Sequence, residues 1–357
     1  MPIANTTSQR LSPPVVEDLL DRLDTCDGVL KLDLHEVGTI ERGAGAILSN
    51  ALLGSLGSRP LEIVLDDDAD DQAGDWMTTS GLAFALANRE GPTTIHGDPD
   101  EQRQARWTRD WRPGHVEPLR AMMSRTSEEL FAPEELGEPT TPPDLFGPTF
   151  AAFINPHLTK PQLQRHPLTT LLWPWLDRLI PRHKTRPADP DLRVRWVADV
   201  GRVVDEIVGN VCEHARHRDG HSVYSLVQVS VTRGGGQRST NRLHLCIQDT
   251  GPGIPATARP KISPQLAATL NEHQLIGRLL EGSLAPWDRG RGQGLPQVVD
   301  ICRRLHGTLR VATKTTRAVL ETQSVETQSA NDAVRTSQVS FRLDGTVVTL
   351  TLPVPGL

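Results

Sequence analysis

Aromatic side chains are scarce in this sequence, with one Tyr and six Phe in 357 residues, so any core must be built from Val, Leu, Ile and Ala. Cysteine is equally sparse. Cys26, Cys212, Cys246 and Cys302 stand far apart, without CxxC or His-x-His spacing. That excludes a zinc-ligand set and a disulfide framework, and leaves small buried thiols. There is no excess of positive charge. The formal net charge of -6 and a pI near 6.1 remove the usual argument for a nucleic-acid partner, and none is expected. The acidic run Asp66-Asp67-Asp68-Ala69-Asp70-Asp71 reads as a solvated loop. No apolar stretch approaches the roughly 20 residues that cross a bilayer, and the N-terminus lacks the basic-then-apolar layout of a signal peptide. A cytoplasmic protein with no membrane partner is the expectation.

What is present falls into two periodic halves around an irregular middle. Residues 28–66 read as strand, helix, strand: Val29-Leu30-Lys31-Leu32-Asp33-Leu34 alternates, residues 43–56 are small and aliphatic, and Leu61-Glu62-Ile63-Val64-Leu65 alternates again. A helix over 76–88 and a strand Thr93-Thr94-Ile95-His96 would complete a compact α/β domain, residues 1–115. Residues 116–190 carry Pro133, Pro139, Pro142, Pro143 and Pro148, a density that blocks helix and removes strand donors. They read as a linker or irregular arm, with one short helix at 167–180. From residue 191 the pattern predicts a long helix to 217 and strands at 223–232 and 243–248, joined as a hairpin through Gly234-Gly235-Gly236. A lid-like stretch follows over 256–289, then a helix at 294–305 and strands at 308–312 and 346–352. The polar segment 313–338, with the near-repeat Glu321-Thr322-Gln323-Ser324 and Glu326-Thr327-Gln328-Ser329, reads as an exposed loop or extended hairpin.

Three segments of the second half carry chemistry. On the helix, Val197, Val200, Val204, Ile207, Val208, Val211 and Ala215 share one side, while Glu206, Asn210, Glu213, His214 and His217 share the other. The strand Leu243-His244-Leu245-Cys246-Ile247 ends in Gln248-Asp249 and breaks into Gly251-Pro252-Gly253, placing a carboxylate at a sheet mouth beside bare backbone where a flat ligand can approach. Gly290-Arg291-Gly292-Gln293-Gly294 then opens a helix, an arrangement that turns amides toward a phosphate. Each segment alone is ordinary: a solvated helix face, a turn, a helix cap.

In this order and spacing, the segments resemble the GHKL ATPase superfamily of gyrase-type topoisomerases, heat-shock chaperones, mismatch-repair ATPases, sensor histidine kinases and anti-sigma-factor serine kinases. Glu206-Ile207-Val208-Gly209-Asn210-Val211-Cys212-Glu213-His214-Ala215 is similar to its N box, Asp249-Thr250-Gly251-Pro252-Gly253-Ile254-Pro255 to the first glycine box, and Gly290 to Leu295 to the second. Residues 191–357 are thereby expected to form an α/β sandwich of mixed sheet and helices, the Bergerat-type ATP-binding fold, with ATP and Mg²⁺ as cofactors. The resemblance implies that Asn210 binds Mg²⁺, a hard cation suited to a neutral oxygen ligand. It further implies that Asp249 accepts the adenine amino group, that Gly251 and Gly253 pass close to the base, and that Gly290, Gly292 and Gly294 offer amides to the phosphates. Thr346 would help hold adenine, and Glu206 would activate water. Arg289 and Arg291 read as solvated.

A histidine kinase is disfavoured, because the candidate phosphoacceptor His166 is followed directly by Pro167. The N-terminal unit resembles a STAS domain, the fold of anti-sigma-factor antagonists, with Arg42 and Gly43 where antagonists carry serines. The expected function is a Mg-ATP-dependent regulatory switch on a protein partner, hydrolysing ATP with Glu206 as base and ordering residues 256–289 over the nucleotide. A protein serine kinase of anti-sigma-factor type and a non-hydrolysing ATP sensor are the alternatives, and a homodimer stays open.

Overall fold

The computed structural model describes residues 4–5, 10–34, 37, 39–64, 91–96, 149–153, 176, 190–215, 225–232, 241–284, 294–322 and 333–355. Among them no helix is long and apolar enough to cross a membrane. Expectations for the acidic run, the helix over 76–88, the triple-glycine turn, and His166 with most of the helix over 167–180 lie outside the described residues.

The N-terminal strands β1 (Ala4–Asn5), β3 (Leu30–Asp33), β5 (Leu61–Val64) and β6 (Thr93–His96) form a parallel sheet in the order β1-β3-β5-β6, while β2 (Arg10–Leu11) pairs with β4 (Thr39–Ile40). Helix α1 (Pro13–Thr25), which the sequence reading missed, opens with proline in its first turn, where the missing N–H costs no bond. It buries Val16, Leu19, Leu20 and Leu23 at three- and four-residue spacing. Helix α2 (Arg42–Leu53) is buried almost all round, through Ala44, Ala46, Ile47, Leu48, Ala51 and Leu52. Each fully buried Leu or Ile stabilises such a core by about 1.5–3 kcal/mol.

The C-terminal half is built on a five-stranded sheet ordered β10-β11-β9-β8-β7. Its strands are β7 (Thr149–Phe153), β8 (Ser225–Thr232), β9 (Arg242–Asp249), β10 (Thr308–Glu321) and β11 (Arg335–Pro353). All four pairings are antiparallel, and with helices laid on the sheet the expected α/β sandwich is borne out. One further reading changes. The edge strand β7 is drawn from the stretch read as linker. The polar segment after residue 312 takes the second of its two readings, an extended hairpin, because β10 continues to Glu321 and pairs antiparallel with β11 from Arg335.

One face of this sheet is covered by α3 (Pro190–His214), α6 (Glu272–Leu280) and α7 (Gly294–Arg304). Between β9 and α6 lie α4 (Ile254–Ala258), a short 3-10 turn (Arg259–Lys261) and α5 (Pro264–Thr269). The reading of 256–289 as a lid is therefore corrected through residue 284. Helix α6 carries a reciprocal Asn271–Gln274 capping box and buries Leu275, Ile276, Leu279 and Leu280 in the core.

The opposite face is covered by the N-terminal half. Strand alternation divides the sheet: Leu243, Leu245 and Ile247 of β9 and Val348, Leu350 and Leu352 of β11 pack with α3, α6 and α7, whereas Cys246, Val347, Phe341 and Leu343 pack with α1 and α2. A second core thus runs from Leu30, Leu32 and Ile63 of the parallel sheet, through both helices, to the antiparallel sheet. Helix α2 lies against β11 at Gly43, where a β-carbon would make an ordinary contact of 3.7 Å with Thr349 Oγ1. The buried ion pair Glu17–Arg317 ties α1 to β10.

Candidate functional site

Glu206 and Asn210 are one turn apart on α3, whose apolar side (Val200, Val204, Ile207, Val208 and Val211) is buried. Both polar side chains are half-buried rather than fully solvated. They meet the start of α7. A β-carbon at Gly294 would lie 2.5 Å from Glu206 Oε2 and 3.7 Å from Asn210 Nδ2. The unpaired amides of a helix's first turn carry partial positive charge, so this junction suits an anion. Helix α7 is held against α3 farther along by Arg304, which donates to both oxygens of Asp199 at 3.2 and 2.7 Å.

The second group of residues gathers where β9 ends. Asp249 is buried, and its Oδ1 accepts from the Gly251 amide at 2.8 Å. Burial pushes this carboxyl up to about 7; the Gly251 amide and the Lys314 ammonium act in the opposite direction. Thr346 stands directly opposite Asp249 in the β9–β11 ladder. Its hydroxyl lies 3.4 Å from that of Thr313, which donates to the Gly345 carbonyl at 2.9 Å and accepts from the Ile254 amide at 3.2 Å. Gly253 is left-handed (φ +81), and a β-carbon there would meet Thr313 Oγ1 at 2.8 Å. Gly251 lies against the end of α3, where a β-carbon would come 2.8 Å from Ala215 Cα.

The structure therefore brings Asp249, Gly251, Gly253 and Thr346 together at one place, and Glu206, Asn210 and Gly294 at another. Helix α3 joins them: from Asn210 to Ala215 is about 7.5 Å at 1.5 Å per residue. Gly290 and Gly292, with Arg289 and Arg291, lie outside the described residues.

Several neighbours of Asp249 escaped the sequence reading. Lys314, left-handed at φ +49, pairs with Asp344 at 3.7 Å; both side chains are largely buried beside the site. A register shift in the β10–β11 ladder places them there, and the only sequence signal was a glycine, Gly345, inside a strand. Asn50 of α2 donates from Nδ2 to the Asp249 carbonyl at 2.7 Å, and the Ser49 hydroxyl lies 3.3 Å from the Gln248 side-chain oxygen. No local pattern marks either residue, because the partner is 199 positions away.

Among the described residues no group of three or more His, Cys, Asp or Glu could hold a metal ion. A cation at Asn210 would need most of its ligands from a bound molecule and water, which is how a hydrated magnesium ion is commonly held. The buried carboxylate, the backbone bared at Gly251 and Gly253, and the helix start beside Glu206 and Asn210 fit a ligand with a flat donor group at one end and anionic groups at the other. Residues 197–356 match the family model described as Histidine kinase-, DNA gyrase B-, and HSP90-like ATPase. No curated protein matches the chain.

Proposed function

Since residues 197–356 form an ATP-binding domain of the histidine kinase-, DNA gyrase B- and HSP90-like ATPase family, we propose that this chain hydrolyses ATP and uses the nucleotide cycle to change its grip on a protein partner. The observation that carries the reading is the meeting of Glu206, Asn210 and Gly294 at the start of α7, with Asp249 buried at the other end of the site. Asp249 would accept the adenine amino group, and Thr346 would support the base from the next strand. Gly251 and Gly253 keep side chains out of the plane the base would occupy. Gly294, with Gly290 and Gly292, would offer amides to the phosphates.

A magnesium ion bound with the nucleotide would offset phosphate charge, and Asn210 is the residue that would hold it. Glu206 would orient the attacking water and take its proton. The start of α7, with the partial positive charge of its first amides, lies beside this carboxylate.

The N-terminal half supports the switch. Its parallel sheet with α2 following β4 is compatible with a STAS-like module, and Arg42 and Gly43 stand where a phosphorylatable serine would be required. We read it as a docking module whose helices α1 and α2 share a core with the ATPase sheet. A partner that pulls on these helices acts on the sheet that carries Asp249. Nucleotide need not order residues 256–284, which are already helical or packed.

Phosphate release from the purified chain with Mg-ATP tests the proposal. Glu206→Gln is expected to lower kcat by about 10²–10⁴ while leaving ATP affinity within a few-fold, the usual worth of a general base. Turnover in Glu206→Gln equal to that of the unaltered chain would remove Glu206 from the mechanism. No turnover in either protein, with tight ATP binding in both, would leave a non-hydrolysing sensor.

A further inference from the structure

We propose that Asn50, on the N-terminal helix α2, is a positioning residue for the base end of the nucleotide site: its side-chain amide fixes the backbone of Asp249 and, with it, the direction of the Asp249 carboxylate. This rests on the reading of Asp249 as the adenine acceptor.

Asn50 is 1% exposed and donates to the Asp249 carbonyl at 2.7 Å. The orientation of the amide is dictated by its partner, because a carbonyl can only accept. Asp249 is the last residue of β9, and beyond it Thr250 leads into the left-handed turn at Gly253. That carbonyl belongs to the peptide plane leading through Thr250 to Gly251, so holding it fixes where the Gly251 amide stands, and that amide in turn orients the Asp249 carboxylate through the 2.8 Å bond to Oδ1. Two more contacts from α2 bracket the bond. Ser49 meets Gln248 on one side, and Gly54, which follows the helix, would bring a β-carbon to 3.5 Å from Thr250 Cγ2 and 3.0 Å from Asp344 Cβ on the other. Three consecutive residues, Gln248 to Thr250, thus lie against the C-terminal end of α2 and the glycine that follows it. The other atom of the amide, Oδ1, has no hydrogen-bond partner among the described residues, so packing alone does not account for an asparagine here. The bond to Asp249 does.

The consequence is specific. Asn50 governs recognition of the base and leaves the phosphate end alone, since Glu206, Asn210 and Gly294 are set by α3 and α7. ATP and ITP separate the two ends, because ITP carries an oxygen where ATP carries the amino group that Asp249 would receive. Affinities of the full chain for both, in Mg²⁺ buffer, are the measurement. The unaltered chain should prefer ATP. Asn50→Ala should weaken ATP about tenfold and leave ITP within twofold. Asn50→Asp, which sets an acceptor against the Asp249 carbonyl, should lose more, and Asn50→Ser, which keeps a short donor, less.

Variants that melt cooperatively but show an unchanged ATP-to-ITP ratio overturn the proposal, as does an equal loss for both nucleotides, which marks a general structural role. A wild-type chain that does not distinguish ATP from ITP overturns the Asp249 reading itself, and this proposal with it. Hydrogen exchange of the unaltered protein covers the case of variants that fail to fold. ATP should slow exchange across residues 45–54, and no change there counts against Asn50.

Discussion

Asp249→Asn is expected to weaken ATP binding at least about a hundredfold and, at pH 8, to make the nucleotide-free protein more stable than the unaltered chain. The two effects have one cause. The carboxylate has two acceptor oxygens, one taken by the Gly251 amide at 2.8 Å and the other available to the adenine amino group. An asparagine has one acceptor, so either the Gly251 N–H or the adenine amino group faces another donor. Losing a charge-assisted bond costs about 1.5–3 kcal/mol and stranding a donor about 1–3 more, and 1.4 kcal/mol is a factor of ten.

The stability gain follows from burial. The folded-state pKa of Asp249 is raised from 3.8 to about 7, so proton binding favours the native state. That contribution is fully present below pH 4, fades as pH rises, and is gone above about 7. The shift corresponds to about 4 kcal/mol as an upper bound at 1.4 per unit, and the neutral variant escapes the loss. Denaturation midpoints from pH 5 to 8 should therefore cross, with Asp249→Asn gaining toward pH 8. A variant less stable than the parent at pH 8 contradicts the burial account. In the unaltered chain ATP affinity should fall as pH drops below about 7, by at most about tenfold per unit, because the amino group needs the ionised acceptor.

Gly345→Ala should be among the most damaging single substitutions in the C-terminal half. Gly345 has φ +75 inside β11, and a β-carbon there would overlap the Asp249 carbonyl oxygen and stand 2.8 Å from Asp249 Oδ1. Left-handed geometry alone costs alanine about 1–2 kcal/mol. The collision with backbone adds to it, because β9 and β11 are paired at Asp249 and Thr346 and cannot separate without breaking the ladder. A total of about 3–5 kcal/mol lowers the melting temperature by roughly 10 °C in a chain of this size. Gly28→Ala is the control: φ is +85, yet nothing lies within 4 Å of the added carbon, so only the backbone strain is felt. Equal melting temperatures for the two variants would show that the contact with Asp249 yields.

The motifs of the candidate site were legible because each is a pattern of particular residue types at short range: a polar pair one turn apart, a carboxylate before glycines, glycines before a helix. Helix α3 and strands β3, β5, β8 and β9 were equally legible, each having a clear period of 3.6 or 2. Strand β10 was cut short at Ala312 because Thr313, Lys314, Thr316 and Arg317 read as solvent-facing, whereas the fold buries them, Lys314 against Asp344 and Arg317 against Glu17. Residues 256–284 read as a lid for a similar reason: their helices are short, and although Ser263 and Asn271 cap two of them locally, the core contacts that stabilise them come from elsewhere in the fold.

By itself, then, the sequence determined the match of residues 197–356 to the ATPase family and the order and residue types of the candidate site segments, since these depend on neighbours a few positions apart. The tertiary structure alone decided that α1 and α2 cover the back of the ATPase sheet and that Asn50 reaches the carbonyl of Asp249. A small aliphatic helix such as α2 suits many apolar faces equally well. Which face it meets is settled by the summed burial of side chains from both halves of the chain, a quantity that no local pattern carries.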